Sequence, residues 1–105
     1  MQIQINAPHT QSPDQFFDLM QHETSETLAQ HEGKLTRIEI HLKDLNAHKG
    51  GLDKRCVMEA RPRGLQPVVA EHDAEREQDA FRGALDKLNR VLQHRFGKLE
   101  QRDQR

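Results

Sequence analysis

The stretch KLTRIEIHLKDLNAHKGGLDKRCVMEARP, residues 34–62, decides the fold of this chain. Apolar and polar side chains alternate in its first part, and the same alternation returns after a pair of glycines. A period of two residues predicts strands that bury one face and expose the other. The side chains predicted to face the core are Ile38, Ile40, Leu42, Cys56, Met58 and Ala60. The stretch therefore predicts two strands that pair as a hairpin.

The centre of this stretch, KGGLDKRC at residues 49–56, raises the question of a phosphate-binding loop or a thiol site. A phosphate-binding loop needs the spacing G-x-x-x-x-G-K-[ST] between a strand and a helix, and the chain has no such pattern. Glycine tolerates the positive φ angles of hairpin loops, so Gly50 and Gly51 favour a loop between the strands. Cys56 falls on the inward face, where a free cysteine usually acts as a small buried hydrophobe. A thiol enzyme is a remote alternative, because no base can be placed beside Cys56 from the sequence.

Further elements are predicted on both sides of this hairpin. QIQIN, residues 2–6, alternates as a short strand, and the helix after it has Ser12 as its cap and ends at Gly33. A turn at Gly64 precedes another alternating strand, QPVVAEH at residues 66–72. With a final helix, the order is β-α-β-β-β-α. This order predicts an α+β two-layer sandwich, in which a mostly antiparallel four-stranded sheet carries both helices on one face.

The final helix has the clearest period in the chain. Its apolar residues recur at steps of three and four: Phe81, Ala84, Leu85, Leu88, Leu92, Phe96 and Leu99. Asp73 is a candidate N-cap, and Glu75 and Glu77 suit the positive end of the helix dipole. We expect a single domain over residues 1–99, followed by a polar, frayed tail over residues 100–105.

The composition restricts the class of protein. The chain has 105 residues, enough for one domain with a modest core, and 33% of them are hydrophobic. Its single cysteine excludes an internal disulfide and fits a reducing cytoplasm. No segment reaches the ~18 apolar residues of a membrane span, and the N-terminus does not resemble a secretion signal. We therefore expect a cytoplasmic protein that does not contact a membrane.

Charge is distributed unevenly along the chain. Residues 1–32 contain five acids and no Lys or Arg, so residues 33–105 carry all 16 cations against 12 acids (17 minus 5), a net charge of +4. Within the final helix a basic stripe recurs at steps of three and four residues: Lys87, Arg90, His94, Lys98, Arg102 and Arg105. Such a stripe can follow a phosphate backbone, although a solvated, salt-bridged face is an equally good interpretation. No exposed aromatic side chain is evident for base stacking, which favours structured RNA over a single strand.

No pattern typical of catalysis or metal binding occurs. The histidines lack the spacings of metal sites: His9, His22, His31, His41, His48, His72 and His94. Glu75, Glu77 and Asp79 most simply serve the start of the final helix, and no nucleophile is arranged with a base. The sequence thus predicts neither an enzyme, nor a metal or other cofactor, nor a small-molecule substrate.

Two segments resemble the ribosome hibernation promoting factor family, also called the sigma-54 modulation or ribosome-associated inhibitor family. They are LTRIEIHLKDLNAHKGGLDKRCVMEARPRGLQPVVAEHD and AFRGALDKLNRVLQHRFGKL. The most specific part is the strand-loop-strand block combined with the D-K-L-x-R-x-L pattern at Asp86–Leu92. The resemblance runs from MQIQI to about Leu99, and it implies the same element order, similar to double-stranded RNA-binding domains. It also implies a non-enzymatic translation inhibitor that binds 16S rRNA of the small ribosomal subunit, near the mRNA and tRNA channel, and idles ribosomes under stress.

By motif position, the resemblance assigns rRNA contacts to Lys87, Arg90 and Lys98. His94 stands where the family often has Lys, so its contribution would be weaker and pH-dependent. Further candidate contacts lie on and around the hairpin: Lys49, Lys54, Arg55, Arg61 and Arg63. The sequence stops before the C-terminal dimerisation domain of longer members, so we expect the short form of the family. A homodimer formed by another route is left open.

The chain departs from the family pattern mainly in its first helix. Thr24 and Thr27 match positions where the family usually has lysines facing the same rRNA cleft, and Phe96 stands where a basic residue is common. Each lost phosphate contact lowers affinity and flattens its salt dependence by a slope of about 0.7–0.9. The alternative interpretation is a fold relative that has lost ribosome binding and acts as a protein-interaction or self-assembling module.

Overall fold

The structure, a computed structural model, describes residues 1–8, 13–45 and 53–103, with side chains described for residues 1–8, 14–45 and 53–99. Its elements are β1 (Gln2–Asn6), α1 (Pro13–Thr27), a 3₁₀ helix (Ala29–Lys34), β2 (Leu35–Asp44), β3 (Lys54–Pro62), β4 (Val68–Ala74) and α2 (Glu77–Asp103). The predicted order of strands and α-helices is confirmed. The predicted cap at Ser12 and the loop residues Lys49, Gly50 and Gly51 lie outside the described residues.

The four strands form one mixed sheet in the order β1-β2-β3-β4. β1 and β2 are parallel, with α1 between them in the chain, whereas β3 is antiparallel to both β2 and β4. The register aligns an interior row across the sheet: Ile5, Ile40, Met58 and Ala70. The Leu45 N–H also donates to the Asp53 carbonyl oxygen at 2.7 Å. The predicted pairing of β2 with β3 is therefore confirmed up to the loop.

A β-bulge at the start of β2 interrupts the alternation seen in the sequence. The register with β3 shifts between Leu35 and Arg37, and Leu35 is fully buried. Thr36 Oγ1 donates a hydrogen bond to the Arg61 carbonyl oxygen at 2.9 Å. Because an extra residue in one strand changes the side on which the preceding residue points, strict alternation could not place Leu35 in the core.

Both helices cover the same face of the sheet, as predicted. One hydrophobic cluster joins side chains from the helices, the 3₁₀ segment and the inward strand positions, including Met20, Leu28, Ile38, Ile40, Met58, Phe81, Leu88 and Leu92. α2 packs directly on β3 and β4, while α1 contacts α2 and the 3₁₀ helix. Fully burying one such side chain stabilises a fold by roughly 1.5–3 kcal/mol, so this shared cluster holds the helices on the sheet.

The first helix ends earlier than predicted. α1 stops at Thr27 rather than at Gly33, and the chain tightens into the 3₁₀ helix. Leu28 is fully buried at this junction and His31 is nearly so. Tertiary burial of these two side chains therefore accompanies the early end of α1, and no glycine is used to terminate it.

The boundary between β4 and α2 also differs from the prediction. β4 continues to pair with β3 up to Ala74, so Asp73 lies in the strand and is not an N-cap. α2 begins at Glu77 and runs to Asp103, past residue 99. No helix in the described part of the chain is long and apolar enough to cross a membrane.

Two glycines have conformational or packing roles. Gly64, in the predicted turn between β3 and β4, has a φ of 71°, in the left-handed region that favours glycine. Gly83 lies where α2 approaches β4 most closely, and a Cβ atom there would overlap the imidazole ring of His72. The lack of a side chain at Gly83 therefore allows α2 to lie close to the sheet.

Candidate nucleic-acid interface

α2 separates an apolar face from a cationic one. Its three- and four-residue apolar period buries Phe81, Leu85, Leu88 and Leu92 against the sheet. Four basic side chains remain exposed along another side of the helix, and we call them the basic ridge: Lys87, Arg90, His94 and Lys98. At 1.5 Å per residue the ridge is about 16 Å long. The structure therefore brings together the four α2 residues that the sequence proposed for rRNA binding.

Lys87 lies where the ridge meets the edge of the sheet. Its Nζ donates to the backbone carbonyl oxygen of Glu71 in β4 at 3.0 Å. A neutral carbonyl orients the ammonium group without cancelling its charge. The ammonium group of Lys87 is therefore held in place by this hydrogen bond and can still attract an anion.

Arg90 forms an exposed ion pair within α2. Its Nη2 lies 3.0 Å from Oδ2 of Asp86, one helical turn earlier, and the Arg90 side chain is 74% exposed. Ion pairs with this spacing and exposure are weak and are screened by salt. A phosphate can therefore replace Asp86 as the partner of the guanidinium.

Arg102 and Arg105 extend the basic stripe in the sequence. Residue 102 is helical, but its side chain lies outside the described residues, as does the whole of residue 105. The ridge is therefore defined only from Lys87 to Lys98.

Lys54 and Arg55 do not join the ridge. They are neighbours in β3, so their side chains leave opposite faces of the sheet. Lys54 Nζ contacts Oδ2 of Asp44 at 3.3 Å. Arg55 donates to both carboxylate oxygens of Asp73, at 2.7 and 3.0 Å, and this pairing lowers the pKa of Asp73 and raises that of Arg55. Carboxylates of this chain thus already neutralise both candidates.

The open face of the sheet is similarly balanced in charge. Glu39 lies among three basic groups, 3.0 Å from Arg37, 3.2 Å from Arg61 and 3.5 Å from His41. Arg61 also contacts Glu59 at 3.4 Å. Arg61, a further candidate from the sequence, is therefore part of an ion-pair network on the face opposite the helices.

The face of α2 that looks toward α1 is neutralised by an acidic residue. Arg82 donates to both carboxylate oxygens of Glu23, at 2.7 and 3.2 Å, and this hydrogen bonding lowers the pKa of Glu23. Gln30 and Asn89 lie 3.5 Å apart farther along the same junction. Glu23 therefore neutralises Arg82 at the junction between the helices, whereas the basic ridge lies on the other side of α2.

The structure corrects one position carried over from the family resemblance. Thr24, matched to a cleft-facing lysine, is 0% exposed, and its Oγ1 has no hydrogen-bond partner. A lysine there would have to bury its ammonium group, which is strongly unfavourable. Thr24 is thus a core residue of α1, whereas the exposed side chains of this helix include Asp18 and Glu26.

Phe96 is also a core residue, and it organises a cluster that the sequence did not predict. Its ring lies 5.3 Å from the His31 ring, and Lys34 Nζ lies 4.9 Å from the Phe96 centroid. Burial of His31 lowers its pKa and keeps the imidazole neutral. Lys34 thus places a positive charge beside Phe96, where the family often has a cation. No local pattern could reveal this cluster, because Phe96 is far from His31 and Lys34 in the chain.

The candidate thiol is not available for chemistry. Cys56 is fully buried, and desolvation raises its pKa to about 12, so the reactive thiolate is not formed near neutral pH. Among the described residues no group of three or more His, Cys, Asp or Glu side chains could hold a metal ion. The exposed basic ridge is therefore a better candidate for a functional site than Cys56.

Comparison with solved structures supports the fold. The chain is similar to a ribosomal subunit interface protein from Coxiella burnetii, with a TM-score of 0.60 and 16% sequence identity. The alignment covers 95% of this chain and 98% of that one. At this identity the similarity concerns the fold alone.

Sequence comparison identifies the family. No curated protein sequence matches the chain significantly. The sequence model of the sigma 54 modulation protein / S30EA ribosomal protein family, however, matches residues 3–100, which is nearly the whole chain. This match includes both the strand-loop-strand block and the basic ridge. The chain belongs to the sigma 54 modulation protein / S30EA ribosomal protein family.

Proposed function

We propose that this protein is a ribosome hibernation factor that binds the small ribosomal subunit through the basic ridge. The observation that carries the proposal is the row of exposed cations on α2, in a chain of this family. Bound near the mRNA and tRNA channel, the protein would block translation by occupancy, without chemistry, cofactor or metal. Its place would be the cytoplasm, where the ribosomes are.

The ridge suits the phosphates of structured RNA. Lys87, Arg90 and Lys98 carry permanent charge at neutral pH, and they are spaced by three to eight residues on one side of a rigid helix. The ridge contains no Phe, Tyr or Trp, so it fits recognition of backbone and shape better than base stacking. Three phosphate contacts predict a salt slope of roughly −2 to −3 for binding.

The test is co-sedimentation with purified small ribosomal subunits over a series of salt concentrations. The wild-type chain should bind at low salt and dissociate steeply as salt increases. The variant Lys87→Glu/Arg90→Glu should lose at least about tenfold in affinity, because two contacts become repulsive.

The matched control is Lys43→Glu/Arg76→Glu, which changes the net charge by the same amount away from the ridge. Both control residues are exposed, one on the open face of the sheet and one just before α2. The control should lose much less affinity than the ridge variant. Equal losses in the two variants, or no binding of the wild type at low salt, would refute ribosome binding through the ridge.

One observation favours the alternative function of a protein-interaction module. α1 contains no Lys or Arg, and its exposed acids Asp18 and Glu26 would repel phosphate. If the wild-type chain fails to sediment with subunits but forms complexes with another protein or with itself, this alternative replaces the ribosomal one.

A further inference from the structure

A groove on the surface lies between the C-terminal half of α2 and the turn that joins β3 to β4. Its volume is about 480 Å³, and its apolar lining comes from Leu65, Val91 and Leu99. Leu65 and Val91 are 39% and 40% exposed, and the two side chains line the same groove. The groove therefore offers apolar surface that remains in contact with water.

A hydrogen bond joins the two walls of the groove, α2 and the turn between β3 and β4. Arg95 Nη1 donates to the backbone carbonyl oxygen of Gln66 at 3.2 Å, which ties α2 to the turn. The left-handed conformation of Gly64 sets the direction in which the turn leaves β3. An arginine has five N–H donors, so the guanidinium that closes the wall retains donors for another group.

The rim of the groove is cationic. His94, Arg95 and Lys98 surround the apolar lining, and no acidic residue occurs among the described residues that line the groove. Arginine and lysine form their strongest hydrogen bonds with anionic oxygens. An apolar floor with a positive rim is complementary to a ligand with an apolar group flanked by negative charges.

We propose that this groove binds an acidic protein segment. An apolar side chain of the segment inserts between Leu65 and Val91, and its neighbouring carboxylates contact Arg95 and Lys98. The proposal does not depend on the proposed ribosomal function. Because His94 and Lys98 line the groove and also belong to the basic ridge, an acidic segment in the groove would compete with RNA there.

Two other occupants fit the groove less well. A second copy of the chain, docked so that the two grooves face each other across a two-fold axis, would place the cationic rims against each other. RNA phosphates would contact the rim but would leave the apolar floor uncovered, and the described lining contains no Phe, Tyr or Trp on which a base could stack. Complementarity of both charge and polarity therefore favours an acidic segment with an apolar side chain.

The experiment is a selection of random short peptides by display on the wild-type chain, with counter-selection on the variant Leu65→Asp. The enriched peptides should contain a large apolar residue beside Asp or Glu. For a synthetic enriched peptide, fluorescence anisotropy should show that Leu65→Asp lowers affinity by at least about tenfold. Lys98→Glu should lower it severalfold, with a loss that shrinks at high salt.

The control variant is Val69→Asp, which adds the same charge to a side chain that is 57% exposed on the opposite face of the sheet. It should change peptide affinity by less than about twofold. Thermal melting of each variant establishes that it is folded. Failure to enrich any peptide, enrichment without acidic residues, or equal losses in Leu65→Asp and Val69→Asp would overturn the proposal. So would NMR titrations in which structured RNA, but not the peptide, shifts the amide signals of the groove.

Discussion

The two helices lie on the same face of the sheet but differ in the charge of their exposed side chains. α1 contains no Lys or Arg, and its exposed residues include Asp18 and Glu26. α2 presents the basic ridge instead. Both helices bury apolar stripes in the same core, so the fold requires only their inward faces. The comparison shows that the outward charge of each helix is free to vary with function while the architecture is kept.

The helices also differ in how they are supported. α2 lies directly on β3 and β4, close enough that Gly83 touches His72, whereas α1 contacts α2 and the 3₁₀ helix. The charges of the helices meet where Glu23 binds Arg82. This contact neutralises Arg82 at the junction, whereas the basic ridge lies on the far side of α2.

The largest expected effect tests the difference in support. Leu88→Ala should destabilise the protein by about 3–5 kcal/mol, since it leaves a cavity between α2 and the sheet. Met20→Ala, an equally buried change in α1, should cost about 2–3 kcal/mol, because α1 does not lie closely on β3 and β4 as α2 does and can relax into the space. Urea denaturation measures both. A cost for Met20→Ala equal to that for Leu88→Ala would show that the helices are equally supported.

The close approach of α2 to β4 gives the next prediction. Gly83→Ala should destabilise by about 1–3 kcal/mol, because the added methyl group overlaps the His72 ring. Gly97→Ala in the same helix meets no atom within 4 Å and should stabilise by up to about 1 kcal/mol. Thermal melting separates the two cases. The double variant His72→Ala/Gly83→Ala should recover part of the loss, and no recovery would contradict the overlap as its cause.

Replacing the exposed acids of α1 by lysines should let α1 attract phosphate, as α2 does. Asp18→Lys/Glu26→Lys should strengthen binding to small ribosomal subunits by roughly three- to tenfold at low salt, because repulsion of phosphate becomes attraction. The neutral change Asp18→Asn/Glu26→Gln should give a smaller gain of the same sign. Co-sedimentation measures both. A gain that persists at high salt would point to a cause other than charge.

The smallest effect concerns the connection between α1 and the sheet, where His31 is buried beside Phe96. Burial lowers the pKa of His31, Lys34 lowers it further, and a hydrogen bond with Asn89 acts in the opposite direction. The unfolded chain therefore takes up a proton more readily than the folded one. Stability should be complete above the ordinary pKa of histidine, about 6.5, and should decrease as pH falls below it.

Thermal melting at pH 7 and at pH 5 tests this prediction, because these two pH values lie on either side of the ordinary pKa of histidine, about 6.5. His31→Gln removes the titrating group and should reduce the decrease in melting temperature over this interval. His22→Gln, a change at an exposed position of α1, should leave the decrease intact. An identical decrease in all three proteins would assign it to other groups.

Much of the fold could be predicted from the sequence because its signals are local. Alternation identified the β2–β3 hairpin, and the three- and four-residue period of Leu88 and Leu92 identified the buried face of α2. The same period placed Lys87, Arg90 and Lys98 on one side of that helix. In each case neighbouring residues alone determine which side a side chain faces.

Only the tertiary structure decided the features that join distant segments. The bulge at Leu35 depends on pairing with β3, and the burial of Thr24 depends on what packs over α1. Arg55 is neutralised by Asp73 across two strands, and a hydrogen bond from Arg95 to Gln66 joins the two walls of the groove. A periodic pattern gives the direction of a side chain but not its partner, because the partner is set by how the elements pack together.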